Sequence, residues 1–331
     1  MRLDLARVVL ILLLACAPGR LAAEDSVLSH RVAIVPVPSP PQDDARKIAL
    51  GQKLFSDPIL SRDKNVSCAS CHDLDGFGAD TAATDPALSP DLRLNTPTVF
   101  NVSLAFRLGW RGDQRTLLEQ AVKAILNPAI MGLDEATLSE RLMDSAAYRP
   151  LFAAIYGGTP SIVQVGDALQ AFERQLVTPN SRFDRYLAGD SGAITPTELE
   201  GYRRFQEYGC IACHQGRDVG GNLYQRFGIF GDPNASQPSS RAALGRYDIT
   251  HDEADRGVFR VPSLRNVAET APYFHDGSVA TLDGAIQKMS GFQLGRELDS
   301  ADVALIADFL RTLTARPPIL EQKDAAGRAM H

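Results

Sequence analysis

The chain has 331 residues, of which 44% are hydrophobic and 22% charged, a composition that excludes a disordered, collagen-like or polytopic membrane protein. At roughly 100 to 200 residues per domain, this length predicts about two domains, each large enough to bury a core. The formal net charge of −6 and the lack of a basic run argue against a nucleic-acid partner.

Residues 1–23 have the pattern of an export signal peptide. Two arginines flank the start, and Val8–Ala17 form an apolar run that is too short to span a bilayer comfortably. Cleavage before Glu24 and a bacterial lipoprotein signal that ends before Cys16 both fit the sequence, and the second would make Cys16 a lipid anchor. No later stretch is apolar enough to predict a transmembrane helix. We expect a periplasmic protein, either soluble or lipid-anchored.

Capping residues and apolar stripes of helical period predict several helices along the chain. These helices are expected at residues 43–55, 163–177, 195–208 and 299–313. The proline-rich segment 35–41 is expected to be extended, residues 178–194 to form a connector, and residues 216–245 to form a long loop. No convincing run of alternating strands is present. The predicted fold class is mainly α with long loops.

The predicted helices at 43–55 and 195–208 each precede a Cys-x-x-Cys-His motif, so the chain carries a weak internal repeat. Gly51-x-x-x-Phe55 lies before the first motif, and Gly201-x-x-x-Phe205 lies before the second. Duplication of this kind predicts two modules of similar build.

Four of the five cysteines fall in two Cys-x-x-Cys-His frames. This frame is the attachment signature of c-type haem, in which both thiols add to the vinyl groups and the His binds the iron. A thioredoxin-type dithiol, half of a zinc site and a disulfide are rival interpretations of Cys-x-x-Cys. The adjacent His in both copies and the export signal favour haem. We therefore predict one haem at Cys68, Cys71 and His72 and another at Cys210, Cys213 and His214.

The sixth ligand of each iron decides whether a haem transfers electrons or performs chemistry. In the second half, Met289 is a candidate ligand, although a Met in an apolar helix is more often core filler. Ligation by Met sulfur would raise the reduction potential and close the site. His275 is interpreted as structural, near the haem edge, and His251 as a loop residue. The first half has no further His between the two frames, and its sulfur candidates are Met131 and Met143.

Four further stretches accompany the two haem frames. They are Asn95-Thr-Pro-Thr-Val-Phe-Asn101, Trp110-Arg-Gly-Asp, Asn127-Pro-x-x-Met-Gly132 and Val261-Pro-Ser-Leu-Arg-Asn-Val-Ala-Glu-Thr-Ala-Pro-Tyr-Phe-His-Asp-Gly277. Over about residues 43–315, this pattern resembles the bacterial di-haem cytochrome c peroxidases, whose superfamily includes MauG. The resemblance implies two cytochrome c-like helical domains, placed here at 24–187 and 188–331. Each would hold one covalently bound haem, and a calcium ion would lie between the haems.

The resemblance also implies roles for individual residues. Met289 matches the axial Met of the C-terminal haem, and Trp110 matches the residue between the haems that is implicated in passing electrons. Gln120 matches a glutamine of the peroxide pocket. The residues that match calcium contacts are Asn95, Thr270 and Pro272, which is consistent with a cation that takes oxygen ligands.

Two departures from the family pattern fall on the peroxide side. The family's distal His is absent from residues 73–94, which favours a haem that is open without reductive activation. Ile130 stands where the family has the Glu that acts as acid and base, and such proton transfer is typically worth about 10² to 10⁴ in rate. Asp134 and Glu135 lie nearby in sequence and are interpreted as a solvated helix start.

Three hypotheses follow. In the first, an exported peroxidase reduces hydrogen peroxide at the His72 haem, with electrons that a small cytochrome c or cupredoxin delivers to the His214 haem. In the second, a MauG-like enzyme uses peroxide to oxidise a protein or small molecule; the absent distal His favours it, and Met289 in place of the MauG-type Tyr disfavours it. In the third, the chain is an electron carrier or redox sensor, which Ile130 favours. A homodimer is left open.

Overall fold

The computed structural model describes residues 33–82, 94–233 and 241–321, and within these ranges the protein is mainly helical. The α-helices are α1 (Ala45–Ser56), α2 (Leu117–Leu126), α3 (Glu135–Asp144), α4 (Arg149–Tyr156), α5 (Ile162–Glu173), α6 (Arg182–Leu187), α7 (Pro196–Glu207), α8 (Tyr247–Thr250), α9 (Leu282–Leu294), α10 (Ser300–Arg311) and α11 (Pro318–Glu321). No helix in these ranges has both the length and the apolar character needed to cross a membrane. The export signal and Cys16 lie outside the described residues.

Local capping chemistry sets the starts of the two helices that precede the cysteine frames, as the sequence predicts. Asp44 accepts a hydrogen bond from the backbone N–H of Arg46 at 2.9 Å and begins α1. Thr195 accepts from the backbone N–H of Glu198 at 3.2 Å and begins α7, with Pro196 in the first turn. The predicted helices at 43–55, 195–208 and 299–313 are confirmed to within about two residues.

The predicted helix at 163–177 is too long, because α5 ends at Glu173. Beyond that point tertiary hydrogen bonds replace helical ones. The carbonyl of Leu176 accepts from the Asn101 N–H at 3.0 Å, and the Thr178 N–H donates to Asn101 Oδ1 at 2.8 Å. The chain after α5 is therefore tied to the distant Asn101 instead of continuing the helix.

Two further stretches contain elements that the sequence patterns do not predict. The predicted connector at 178–194 contains α6, in which Ser181 and Asp184 form a capping box. Asp184 is also buried against Arg265 at 2.8 Å, a contact with the distant part of the chain that local sequence does not show. Residues 216–245 contain β1 (Tyr224–Arg226), which pairs with β2 (Val258–Arg260) in a two-stranded antiparallel sheet.

Two hydrophobic clusters form the interior, and each is built around a crossing of two helices. In the first, α1 packs against α5, and an added Cβ at Gly51 would overlap the carbonyl of Ala168. In the second, α7 packs against α10, and an added Cβ at Gly201 would overlap the carbonyl of Leu305. Glycine at these two positions permits the close approach of the helices, which explains the repeated Gly-x-x-x-Phe pattern.

The two ends of the described chain cross over to the opposite cluster. Ile34, near the start, is fully buried in the second cluster and bridges to Gly216. Leu320 of α11, near the end, is buried in the first cluster. Arg316 fixes this last segment by donating to the carbonyl of Asp75 at 2.8 Å. From Ile34 onward the chain forms one compact unit, so the boundary at 187/188 stays a prediction.

Candidate functional site: two Cys-x-x-Cys-His frames

Each cysteine frame folds into one short 3-10 turn, Cys68–Ser70 in the first half and Cys210–Ala212 in the second. The turn is closed by the His backbone, because the His72 N–H donates to the Cys68 carbonyl at 2.9 Å and the His214 N–H donates to the Cys210 carbonyl at 3.0 Å. None of these four cysteines is in a disulfide bond. The frame therefore offers both sulfurs and one imidazole from a single turn of chain.

Both histidines are held in the orientation that a metal ligand needs. His72 Nδ1 lies 3.2 Å from the Gly78 carbonyl oxygen, and His214 Nδ1 lies 3.4 Å from the Val219 carbonyl oxygen. Since a carbonyl only accepts, Nδ1 carries the hydrogen and Nε2 keeps its lone pair for iron. Burial lowers the pKa of His72, and it lowers the pKa of His214 to about 4, so both rings are neutral at pH 7.

A cavity of about 250 Å³ adjoins the second frame. Cys210, Cys213 and His214 line it together with Met289 of α9. The donor set fits a c-type haem, because two thiols, an imidazole with a free Nε2 and a thioether sulfur border one mostly apolar space.

Met289 differs from the methionines of the first half in where its side chain lies. It is partly buried on α9 and borders the cavity. Met131, in contrast, is 5% exposed and belongs to the first hydrophobic cluster, where it acts as core filler.

Trp110 and His275 lie together at the same cavity. The Trp110 Nε1–H donates to the Asn95 carbonyl at 2.8 Å, which fixes the indole. The ring of His275 is 6.4 Å from the Trp110 ring in a T-shaped arrangement and stacks on Phe259 at 4.4 Å. Burial lowers the pKa of His275 to about 4. His251, which ends α8, is exposed, as expected of a loop residue.

The three predicted calcium contacts also border this cavity. They are Asn95, Thr270 and Pro272. The Asn95 N–H donates to the His275 carbonyl at 2.8 Å, which ties the two stretches to each other. The described residues contain no cluster of three or more His, Cys, Asp or Glu suited to a metal ion, so a cation here would depend on carbonyl and amide oxygens.

The residues predicted at the peroxide side lie around α2 and the turn that follows it. Gln120 is partly buried on α2. Ile130 is 48% exposed in the turn between Asn127 and Gly132. Asp134 is exposed and caps α3 by accepting from the Thr137 N–H at 3.0 Å, so the interpretation of a solvated helix start is confirmed.

Two carboxyl groups with an enclosed oxygen escape the sequence analysis: Asp218 is buried and Glu173 is partly buried. Burial raises the pKa of Glu173 in α5 to about 8, and it raises the pKa of Asp218, which borders the cavity beside the second frame, to about 7. Each has one enclosed oxygen, Glu173 Oε2 and Asp218 Oδ1, without a hydrogen-bond partner among the described residues. The available sequence signal was that Glu173 follows Leu169 and Phe172 on an apolar helix face.

Comparison with known proteins gives a consistent result. The family model described as di-haem cytochrome c peroxidase matches residues 45–192. Cytochrome c551 peroxidase of Nitrosomonas europaea is 38% identical over 314 residues, covering 94% of this chain and 93% of that protein. Methylamine utilization protein MauG of Methylophilus methylotrophus is 33% identical over 275 residues, covering 81% and 79%. A crystal structure of a MauG-like protein associated with microbial copper homeostasis superposes with a TM-score of 0.72 at 27% identity, covering 84% and 93%.

Proposed function

The chain belongs to the di-haem cytochrome c peroxidase family and is a peroxidase-type oxidoreductase, and from this premise we propose that its two haem sites have different tasks. Hydrogen peroxide is reduced at the N-terminal haem, and electrons enter through the C-terminal haem. The observation that carries this division is the cavity that Met289 shares with His214. With a haem held by His214, a thioether at this place would leave no open position for peroxide, and the second site would serve electron transfer.

The chain's own residues would hold the two haem c groups. Cys68, Cys71 and His72 hold the first, and Cys210, Cys213 and His214 hold the second. When bound, the haems supply one-electron redox chemistry and an iron centre that peroxide can reach. The carbonyls of Gly78 and Val219 keep the two imidazoles in the orientation and tautomer that ligation needs.

Trp110 and Gln120 are the proposed catalytic side chains. The hydrogen bond to the Asn95 carbonyl keeps the indole of Trp110 at the cavity wall, where a redox-active ring would connect the two sites. Gln120 can donate a hydrogen bond to bound peroxide but cannot shuttle a proton as a carboxylate does. Because Ile130 stands where the family has its Glu, we expect slow peroxide turnover.

Several further features belong to the same proposal. Asn95, Thr270 and Pro272 would contribute oxygen atoms to a calcium ion, with water completing its shell. A small cytochrome c or a cupredoxin would deliver electrons in the periplasm. A lipid anchor at Cys16 and a homodimer remain predictions.

A MauG-like activity is the second candidate. The likeness to MauG and to a MauG-like structure, together with the absence of a distal His from residues 73–94, favours it. Met289 in place of the MauG-type Tyr disfavours it. The two functions differ in whether a protein donor is needed to consume peroxide.

One experiment distinguishes them. The haem-loaded protein is mixed with hydrogen peroxide in the presence and absence of a reduced cytochrome c, and the haem spectrum and the donor are followed together. Rapid donor oxidation supports the peroxidase. A long-lived oxidised spectrum without a donor supports the MauG-like activity. If neither the spectrum nor the donor changes, both proposals fail.

A further inference from the structure

Glu173 ends α5 with a carboxyl group that the fold leaves without a hydrogen bond at one oxygen. Its Oε2 atom is enclosed and has no partner among the described residues. The pKa of the Cys68 thiol is raised to about 12. Burial is the larger cause, and the nearby negative charge of Glu173 is the next. The carboxyl group is therefore near enough to the first cysteine of the N-terminal frame for its charge to act on that thiol.

The corresponding helix of the second half, α10, indicates which way the Glu173 side chain faces. Phe172 of α5 and Phe309 of α10 each pack over the glycine of the helix they cross. The residue that follows is Glu173 in α5 and Leu310 in α10. Leu310 borders the cavity that Cys210 also borders. By this correspondence, Glu173 faces the N-terminal haem site from the position that Leu310 occupies at the other site.

The charged groups of the elements packed against α5 are engaged elsewhere or exposed. Their partnerships are Arg46 with Asp44, Lys47 with Asp167, Lys53 over the Tyr148 ring, Lys123 with Asp113, Arg141 with the Ser61 carbonyl, Arg174 with Asp43 and Glu119 with the Arg115 N–H. The carboxylates of α3 are exposed at Glu135, Glu140 and Asp144. Burial is the dominant influence on Glu173, and it raises the pKa to about 8.

Asp218, which borders the cavity beside the second frame, differs from Glu173 in the charges around it. Burial raises its pKa, but Ser263, Arg260 and Arg265 act in the opposite direction and stabilise its ionised form. Glu173 has no such compensation, so its charge state depends more strongly on any change of charge in the adjoining site.

We propose that Glu173 takes up one proton when the N-terminal haem takes up one electron, so that the reduction potential of this haem depends on pH. The inference rests on the haem attachment at Cys68 and Cys71 proposed above. The electron comes from the reduced donor and the proton from solvent, and they produce a ferrous haem and a neutral carboxylic acid. The ferric haem carries one more positive charge and favours the carboxylate, an effect that a poorly solvated site strengthens.

Spectropotentiometric titration of the haem-loaded protein between pH 5.5 and 9 tests the proposal. The high-spin and low-spin spectra are followed separately to assign the two haems. A couple that takes up one proton per electron shifts by about 59 mV for each tenfold change in proton concentration. We expect that slope over part of the range for the N-terminal haem of the wild-type protein and of the exposed control Glu140→Gln, and a flat response in Glu173→Gln. A flat wild-type response, or a slope that persists in Glu173→Gln, would overturn the proposal.

A second measurement needs no variant. The redox-difference infrared spectrum of the wild-type protein should show a protonated carboxyl band that appears on reduction and shifts in D₂O. Absence of that band contradicts the inference even if Glu173→Gln fails to fold. Haem content separates this failure from that of the underlying proposal. Fewer than two haems per chain would refute haem attachment, whereas two haems without the pH response would refute only the role of Glu173.

Discussion

The two halves of the molecule share one scaffold and differ at the positions that border the haem sites. In both, a Cys-x-x-Cys-His turn is followed by a backbone carbonyl that orients the His, and a glycine allows two helices to cross closely. In both, an Asn in the left-handed region, Asn101 or Asn266, donates its backbone N–H to the segment after the crossing helix, at Leu176 or Leu313. The duplication therefore extends to individual hydrogen bonds.

The differences become clear when the halves are aligned on the threonines that cap α2 and α9, Thr116 and Thr281. At the same distance beyond these caps, Met289 in the second half corresponds to Ala124 in the first. A methyl group cannot ligate iron, so under the proposed assignment this position would close the second site and leave the first without that ligand. A scaffold that is repeated within one chain can therefore carry two different kinds of site, because a single side chain at a corresponding position differs.

The largest expected effect comes from restoring a proton carrier to the first half. Ile130 is exposed, so the Ile130→Glu variant should fold. Its carboxylate should raise the rate of peroxide-dependent oxidation of a reduced cytochrome c by about 10²-fold or more. Stopped-flow kinetics measure the rate. Ile130→Gln is the matched control, since it has the shape without the proton, and an equal gain in that variant would contradict the acid/base explanation.

Removing the thioether tests the second half. Met289→Ala should abolish the six-coordinate low-spin signal of one haem and lower donor-driven turnover by more than the roughly 10- to 100-fold typical of outer-shell changes at metal sites. Electron paramagnetic resonance measures the spin state. Met131→Ala is the control, because it removes a core methionine of the first half, and it should leave the low-spin signal intact. Retention of the signal in Met289→Ala would refute the ligand assignment.

The reciprocal change tests whether the scaffold is interchangeable. Ala124→Met places a thioether where the first half lacks one, and we expect a new low-spin fraction together with a partial loss of peroxide reactivity. The effect should be smaller than that of Met289→Ala, because Ala124 is partly buried and a longer side chain must find room. Ala124→Leu controls for bulk. A spectrum identical to that of Ala124→Leu would show that the two positions are not equivalent.

The smallest effect concerns His275. It corresponds to Trp110, because the two residues lie at the same distance before the capping threonines Thr281 and Thr116. Because burial lowers the pKa of His275 from its ordinary 6.5 to about 4, its contribution to stability is present above pH 6.5 and lost as pH falls toward 4. The loss is at most about 1.4 kcal/mol per pH unit. Denaturant unfolding at pH 7 and pH 5 should show a smaller difference in His275→Phe than in wild type. An unchanged difference would assign the pH response to other groups.

Sequence patterns predicted the parts of the molecule that depend on neighbouring residues. The cysteine frames and the capped starts of α1 and α7 follow from local chemistry. The glycine repeat was visible as a sequence pattern, but its reason is the crossing of helices that are distant in sequence. The family resemblance added Met289, Trp110 and the three candidate calcium contacts, which the structure brings to one cavity.

The parts that sequence did not predict depend on contacts between distant segments. The early end of α5 depends on Asn101, and α6 depends on the burial of Asp184 against Arg265. The enclosure of the Glu173 Oε2 atom follows from the packing of whole helices, since a Glu at a helix end is ordinarily interpreted as solvated.

The crossing of the chain ends has a consequence for how the protein can be divided. The segment at Ile34 precedes the first half along the chain but completes the core of the second half, and α11 follows the second half but completes the core of the first. Neither half, expressed alone from the predicted boundary, would contain its whole interior. A protease cut between the two halves would leave two fragments, each of which still needs a segment of the other to complete its core.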